Sequence, residues 1–157
     1  MTRRTPAPWR RRNLVALTAL TAYSTALGWQ AQRVSYPLYR AVGEADVAAH
    51  HRQYDRAIPA VVIAPGFASF LAGAAFWWTR PPAVPRLAAA AVSIADTASL
   101  LSTVLGAIPQ HDRLDRAGRS PEAVDALVRA NLVRTLALTA STAVLCWCLA
   151  EAGDRAA

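Results

Sequence analysis

The chain has 157 residues, of which 54% are hydrophobic and 17% charged, and its formal net charge is +7. This length fits a single domain. The charged residues lie between four long apolar blocks and do not alternate with apolar residues at helical or strand period, which argues against a soluble domain. All basic residues are arginines that flank the apolar blocks without interleaved aromatic residues, which argues against nucleic acid as a partner.

Each apolar block reaches roughly the 18 residues that a helix needs to cross a bilayer. The pattern predicts an all-α integral membrane four-helix bundle with spans at about 14–31, 58–79, 87–108 and 132–150. The spans belong to one transmembrane domain at 13–151. A disordered basic tail at 1–12 precedes it, and a short polar tail at 152–157 follows it.

The arginines of the amino-terminal tail predict the orientation in the membrane. By the positive-inside rule both termini are cytoplasmic, as expected for a multi-pass protein of the plasma membrane. A cleaved signal peptide in place of span one is the alternative. A polar stripe that runs from Thr18 to Gln32, past the position where cleavage would fall, favours a retained span.

Proline residues and helix-capping residues predict where the helices end. Tyr36-Pro37 predicts a break after span one, followed by a short amphipathic helix that leads into span two. Pro65 predicts a kink within span two, and Pro109 predicts the end of span three. Ser120-Pro121-Glu122 is typical of a helix start and predicts an amino-terminal extension of span four.

Asp96 is an intramembrane acid in the middle of span three. A carboxyl group at this depth is costly and marks a candidate for function, for instance as the proton carrier of a small transporter subunit that would have to oligomerise. Its alternative role is packing, bonded to a hydroxyl group such as that of Thr21 or Thr139. His111 lies about 22 Å further along the helix at ~1.5 Å per residue, so Asp96 and His111 are expected to belong to different sites.

The other informative polar residues gather where the four spans end on the outer side. As catalytic candidates, His111 and His51 would act as acid and base or as metal ligands, and Arg134 and Asn131 would stabilise developing negative charge. Tyr54 is the fifth catalytic candidate and would orient the substrate, and the substrate-binding candidates are Gln32, Tyr36 and Thr103. No motif identifies a metal or a cofactor. Each of these residues also has a structural alternative. The histidines would cap helix ends, and Arg134 would extend to the membrane–water interface or pair with Asp55 or Asp112.

Several short motifs follow one another in the same order relative to the four spans. They are Gln32 with Tyr36-Pro37-Leu38, His51-x-x-Tyr54, Pro65, Arg80-Pro81, Ser102-Thr103, Pro109-x-His111-x-x-Leu114 and Asn131-x-x-Arg134-Thr135. In this set the chain resembles a family of small four-span bacterial membrane proteins of unknown function that is grouped with the anthrone-oxygenase-like proteins.

The resemblance implies a four-helix membrane bundle with a polar site at its outer end. Some members of the group are linked to the oxidation of polycyclic aromatic anthrones, without a well-defined cofactor. We therefore expect either an oxidoreductase that acts on a lipophilic aromatic or quinone-like molecule, or a non-enzymatic structural or assembly factor of the membrane. The expected partners are the lipid bilayer and a lipophilic small molecule, and self-association is left open.

Overall fold

A computed structural model describes the backbone of residues 8–117 and 120–154. Within these ranges the side chains at 44, 45, 47, 48, 50, 51, 55, 117 and 154 lie outside the description. The described residues form four long helices and no strand, which confirms the all-α prediction. Most of the two predicted tails lies outside the described residues. Residues 8–12, which the sequence analysis assigns to the tail, form the first turns of a helix instead.

Three of the four helices contain a widened π-helical turn. Helix α1 consists of Pro8–Gln30, the wide turn Ala31–Ser35 and Tyr36–Leu38. Helix α2 consists of Glu44–Ile58, the wide turn Pro59–Ile63 and Ala64–Thr79. Helix α3 consists of Arg86–Leu101, the wide turn Ser102–Ala107 and Ile108–Ala117, and helix α4 is Pro121–Asp154.

Each wide turn ends two residues before a proline. The residue that precedes each of Pro37, Pro65 and Pro109 donates its N–H to a carbonyl five residues back rather than four. A proline ring inside a regular helix collides with the carbonyl four residues earlier. The wide turn makes room for the ring, so that the helix continues past the proline.

One predicted helix end is therefore wrong, because the helix does not end at Pro109 but continues to Ala117. The break predicted at Tyr36-Pro37 falls at the end of α1, whose last residue is Leu38. The short helix predicted before span two is the first part of one continuous α2. The predicted extension of span four is confirmed, because the N–H of Ala123 donates to the Ser120 hydroxyl at 3.1 Å, as expected of an N-cap.

The helices pack side by side, each against two others: α1 against α2 and α4, and α3 against α2 and α4. Arg10, at the start of α1, donates a hydrogen bond of 2.9 Å to the carbonyl of Arg80, just after the end of α2. At this end an apolar core includes Leu17, Phe76, Val92 and Leu145. The described first and last helical residues of the chain therefore lie at the same end of the molecule.

Hydroxyl groups and small residues join the helices between the two ends of the molecule. The Thr21 and Ser69 hydroxyls are 2.9 Å apart, linking α1 to α2, and those of Thr25 and Thr142 are 2.9 Å apart, linking α1 to α4. Gly106 of α3 lies so close to Ala130 of α4 that an added methyl group would be 2.8 Å from the alanine side chain. Such contacts through small and hydroxyl residues are typical of helices that associate in lipid.

Three of the described helices are long and apolar enough to cross a membrane: Arg52–Thr79, Arg86–Arg116 and Pro121–Gly153. Large apolar side chains also cover their outward faces, as at Trp78, Leu87, Ile94 and Leu105. A surface of this kind is unfavourable in water and favourable in lipid. Helices of this length and surface are compatible with an integral membrane protein.

Candidate functional site

All four helices line a cavity of about 610 Å³. At one end, which we call the aromatic end, its wall consists of Tyr36, Tyr54, His111 and Arg134. At the other, which we call the carboxyl end, the wall includes Asp96, Ser69 and Ser99. The wall between the ends is largely apolar and includes Leu27, Val61, Ile63, Phe67, Phe70, Leu100, Val104, Ile108 and Leu138.

Aromatic rings from three helices meet at the aromatic end. Tyr54 of α2 and His111 of α3 are stacked, with ring centroids 6.1 Å apart and ring planes inclined by 14°. Tyr36 of α1 lies 6.1 Å from His111, and Tyr39, in the turn after α1, lies edge-on to Tyr54 at 6.0 Å. Such offset and edge-on pairs are the favoured aromatic geometries. They hold the ends of α1, α2 and α3 together.

Arg134 brings a cation from α4 to the same end. Its guanidinium group interacts electrostatically with the hydroxyl groups of Tyr36 and Tyr54. No described carboxylate forms an ion pair with it: Asp112 instead lies 3.7 Å from Arg116 at the surface, and the Asp55 side chain is outside the description. A guanidinium group held away from water is costly unless an anion or several acceptors surround it.

Asp96 is buried at the opposite end of the cavity, with 3% of its surface exposed. The Ser141 hydroxyl of α4 donates to its oxygen Oδ1 at 2.9 Å. Its second oxygen, Oδ2, is buried against Gly73 of α2 and has no hydrogen-bond partner among the described residues. Asp96 and His111, which are predicted to belong to different sites, lie at opposite ends of one cavity wall.

Two of the candidate residues lie behind the cavity wall and bond to each other. The Asn131 amide donates to the Gly28 carbonyl at 3.1 Å and to the Gln32 side-chain oxygen at 2.7 Å, which ties α4 to α1. Thr103 does line the cavity, although its hydroxyl donates to the Ser99 carbonyl of its own helix at 2.9 Å. The His51 side chain lies outside the described residues.

The structure adds residues that the sequence analysis does not select. Ser141 and Gly73 position the Asp96 carboxyl group, and Phe67 and Phe70 supply aromatic wall between the two ends of the cavity. Ser141 lies seven residues after Arg134, a spacing that places two side chains on one helix face. This spacing is the sequence signal from which Ser141 could have been selected. The contact of Gly73 with Asp96 joins two helices and leaves no local sequence pattern.

Among the described residues there is no group of three or more His, Cys, Asp or Glu residues that could hold a metal ion. His111 is the described histidine side chain at the aromatic end, and the metal alternative pairs it with His51, whose side chain is not described. What the described wall offers a ligand is one guanidinium group, tyrosine hydroxyls and an imidazole at one end, a carboxyl group at the other, and apolar surface between them.

The described residues thus form an all-helical fold with helices that could cross a membrane and with a cavity that is polar at both ends. Comparisons of the chain with models of protein families, with curated proteins and with solved structures give no match.

Proposed function

We propose that this protein crosses the plasma membrane four times as a four-helix bundle, with α1 as the remaining span and both termini in the cytoplasm. Two observations support this topology. The amino-terminal end of α1 and the carboxyl-terminal end of α4 lie at one end of the molecule, together with Phe76 and Val92. Arg10, Arg11 and Arg12 lie in the first turns of α1 at that same end, where the positive-inside rule favours arginines on the cytoplasmic side.

Reporter fusions test this topology. A green fluorescent protein fused after residue 157 is expected to fluoresce, because it folds in the cytoplasm. An alkaline phosphatase inserted at residues 118–119, between α3 and α4, is expected to be active, because it requires export. Exchanging the two reporters is the control and should silence both. An active phosphatase at the carboxyl terminus would contradict the proposed orientation.

We further propose that the cavity binds a lipophilic molecule that carries an acidic or carbonyl oxygen, such as an aromatic or quinone-like compound. The observation that carries this proposal is Arg134, a guanidinium group in the wall of a largely apolar cavity with no described carboxylate partner. An anionic or strongly polarised oxygen would accept hydrogen bonds from the N–H groups of Arg134. Tyr36 and Tyr54 line the same end of the cavity, and their hydroxyl groups would bond the same oxygen.

The residues at the aromatic end also fit the oxidoreductase that the family resemblance implies. His111, stacked on Tyr54, is placed to exchange a proton with a ligand hydroxyl. Arg134 would stabilise the resulting phenolate or enolate, which is the more readily oxidised form. The alternative is a structural or assembly factor. The aromatic contacts favour it too, because they join three helix ends without any ligand.

Binding of biphenylcarboxylic acid, a lipophilic aromatic acid, distinguishes these alternatives. We expect the purified protein in lipid nanodiscs to bind this acid, with a loss of ten- to a hundredfold in affinity on Arg134→Gln, since a charge-assisted bond inside a poorly hydrated cavity is lost. The measurement is quenching of tryptophan fluorescence by titration with the acid.

The control is Arg129→Gln, on the same helix at an exposed position, which removes the same charge without touching the cavity. Equal affinities in the two variants would show that Arg134 does not recognise the ligand. If folded wild-type protein does not bind the acid, the ligand-binding proposal fails and the structural alternative is favoured.

A further inference from the structure

We infer that the cavity opens sideways between the wide turns of α2 and α3, and that an apolar tail of the bound molecule lies in this opening and extends into the lipid. The inference rests on the proposed function and extends it, because it specifies an amphiphile. Such a molecule has its acidic or carbonyl oxygen at Arg134 and an apolar chain that leaves the cavity through its side.

The large apolar wall residues that are exposed lie on α2 and α3. Between 42% and 54% of their surface is exposed, and they are Val61, Ile63, Phe67, Val104 and Ile108. By contrast, Ala31 and Tyr36 of α1 and Leu138 of α4 line the same cavity and are at most 6% exposed. The apolar surface of the cavity therefore reaches the outside of the molecule on α2 and α3.

The wide turns of α2 and α3 are bound to different neighbours. In α2, the Val61 carbonyl accepts a hydrogen bond of 3.2 Å from the hydroxyl group of Tyr23 on α1. In α3, the Ser102 hydroxyl donates to the Ala130 carbonyl of α4 at 2.6 Å, and the wide turn packs against that helix. Among the described residues no hydrogen bond joins the two wide turns, and they do not pack closely against each other. This arrangement leaves a gap between them.

Contacts on either side of the wide turns limit the height of the gap. Toward the aromatic end, Tyr54 of α2 stacks on His111 of α3. Toward the carboxyl end, the Ser93 hydroxyl of α3 donates to the Gly73 carbonyl of α2 at 3.4 Å. The two helices are thus joined at both levels and separate between them, so the opening lies in the side of the molecule and not at its end.

The edges of the opening favour an apolar chain. They consist of aliphatic and aromatic side chains, which in the proposed topology meet lipid and not water. A hydrocarbon chain keeps apolar surroundings there, whereas a polar group would lose its hydration without gaining a partner. Ile108 and Val104 precede His111 by three and seven residues, about 5 and 10 Å along the helix at ~1.5 Å per residue. A ligand whose oxygen is at Arg134 therefore reaches the opening with an apolar part about 10 Å long.

A matched pair of probes tests the opening. Biphenylcarboxylic acid has no tail, and hexylbiphenylcarboxylic acid carries a six-carbon chain at the far end of its second ring. Val104→Trp places a bulky side chain at one edge of the opening. We expect it to weaken binding of the hexyl acid about tenfold, in line with the usual cost of forcing a bulky group into an occupied space, and binding of the unsubstituted acid less than about twofold. Ile63→Trp, at the opposite edge, should cause the same selective loss.

Binding is measured in lipid nanodiscs with radiolabelled acids, because the added tryptophan would alter fluorescence quenching. Each variant is compared with wild-type protein for the same acid, so that partition of the acid into the lipid cancels. The matched control is Leu105→Trp, which should change neither affinity, since Leu105 belongs to the same wide turn as Val104 but not to the cavity wall.

The outcomes separate this inference from the proposed function. Suppose that both acids bind in an Arg134-dependent way and that folded Val104→Trp and Ile63→Trp weaken the two acids equally or not at all. The opening is then refuted and the proposed function stands. The same conclusion follows if wild-type protein binds the unsubstituted acid but not the hexyl acid, because the cavity is then closed at its side. Absence of binding of both acids to folded wild-type protein refutes the two proposals together.

Discussion

Replacing Gly73 by alanine is expected to lower the free energy of unfolding by about 3 kcal/mol, the upper part of the usual range for overpacking a core. A methyl group at this position would overlap Oδ2 of Asp96. The carboxyl group cannot simply move aside, because it is buried and held by Ser141. Thermal unfolding in detergent, followed by circular dichroism, gives the change in stability.

The same helix provides a control, and the contact itself provides a rescue. Around Gly66 an added methyl group meets nothing within 4 Å, so Gly66→Ala should leave stability unchanged or raise it by up to about 1 kcal/mol through helix propensity. Combining Gly73→Ala with Asp96→Ala removes the overlapping oxygen and leaves an ordinary contact of 3.7 Å to the Asp96 β-carbon. The double variant should therefore recover stability relative to Gly73→Ala alone. If it recovers none, the contact between Gly73 and Asp96 does not limit packing here.

Replacing Leu114 by alanine is expected to cost about 3 kcal/mol, because deletion of a buried leucine side chain leaves a cavity. Leu114 is fully buried on α3 in the core next to the aromatic end, with Tyr39, Val124 and Leu127 as neighbours in the cluster. The loss should also loosen the aromatic end, since His111 lies one turn earlier on the same helix. Unfolding in detergent measures the first effect, and affinity for biphenylcarboxylic acid measures the second.

Leu105 is the matched control for this substitution. It lies on the same helix with 72% of its surface exposed, so Leu105→Ala removes the same atoms from a face that touches no other helix closely. We expect its effect on stability to stay below about 0.5 kcal/mol. Equal losses in the two variants would mean that Leu114 is not a core position.

The helical class and the long apolar helices were predictable because they depend on quantities that the sequence carries directly. Block length and the segregation of charges select membrane-length helices. The grouping of Tyr36, Tyr54, His111 and Arg134 was predictable for a similar reason. Antiparallel helices joined in sequence bring alternate helix ends together, and the structure places all four residues on one cavity wall.

The sequence-based predictions differ from the structure where contacts between helices decide the conformation. Pro109 was expected to end a helix, but the wide turn before it lets the helix continue to Ala117. The assignment of Asp96 and His111 to different sites stays a prediction: helical rise fixes the distance between the two residues, and both line one cavity at its opposite ends. Gln32 and Asn131 share the end of the molecule predicted for them, yet their bond to each other turns them toward the interface of α1 and α4.

The wide turns also set the rotation, about the helix axis, of the residues that follow them in the same helix. One additional residue in a helix rotates the remainder by about 100°. In α3 the wide turn Ser102–Ala107 lies between Asp96 and His111. Loss of one residue from it would leave Asp96 facing Ser141 while it turned His111 away from Tyr54. The number of residues in these turns therefore decides, together with residue identity, which side chains face each other across the cavity. A deletion in a wide turn would rotate one end of the cavity relative to the other without altering any side chain that lines the two ends.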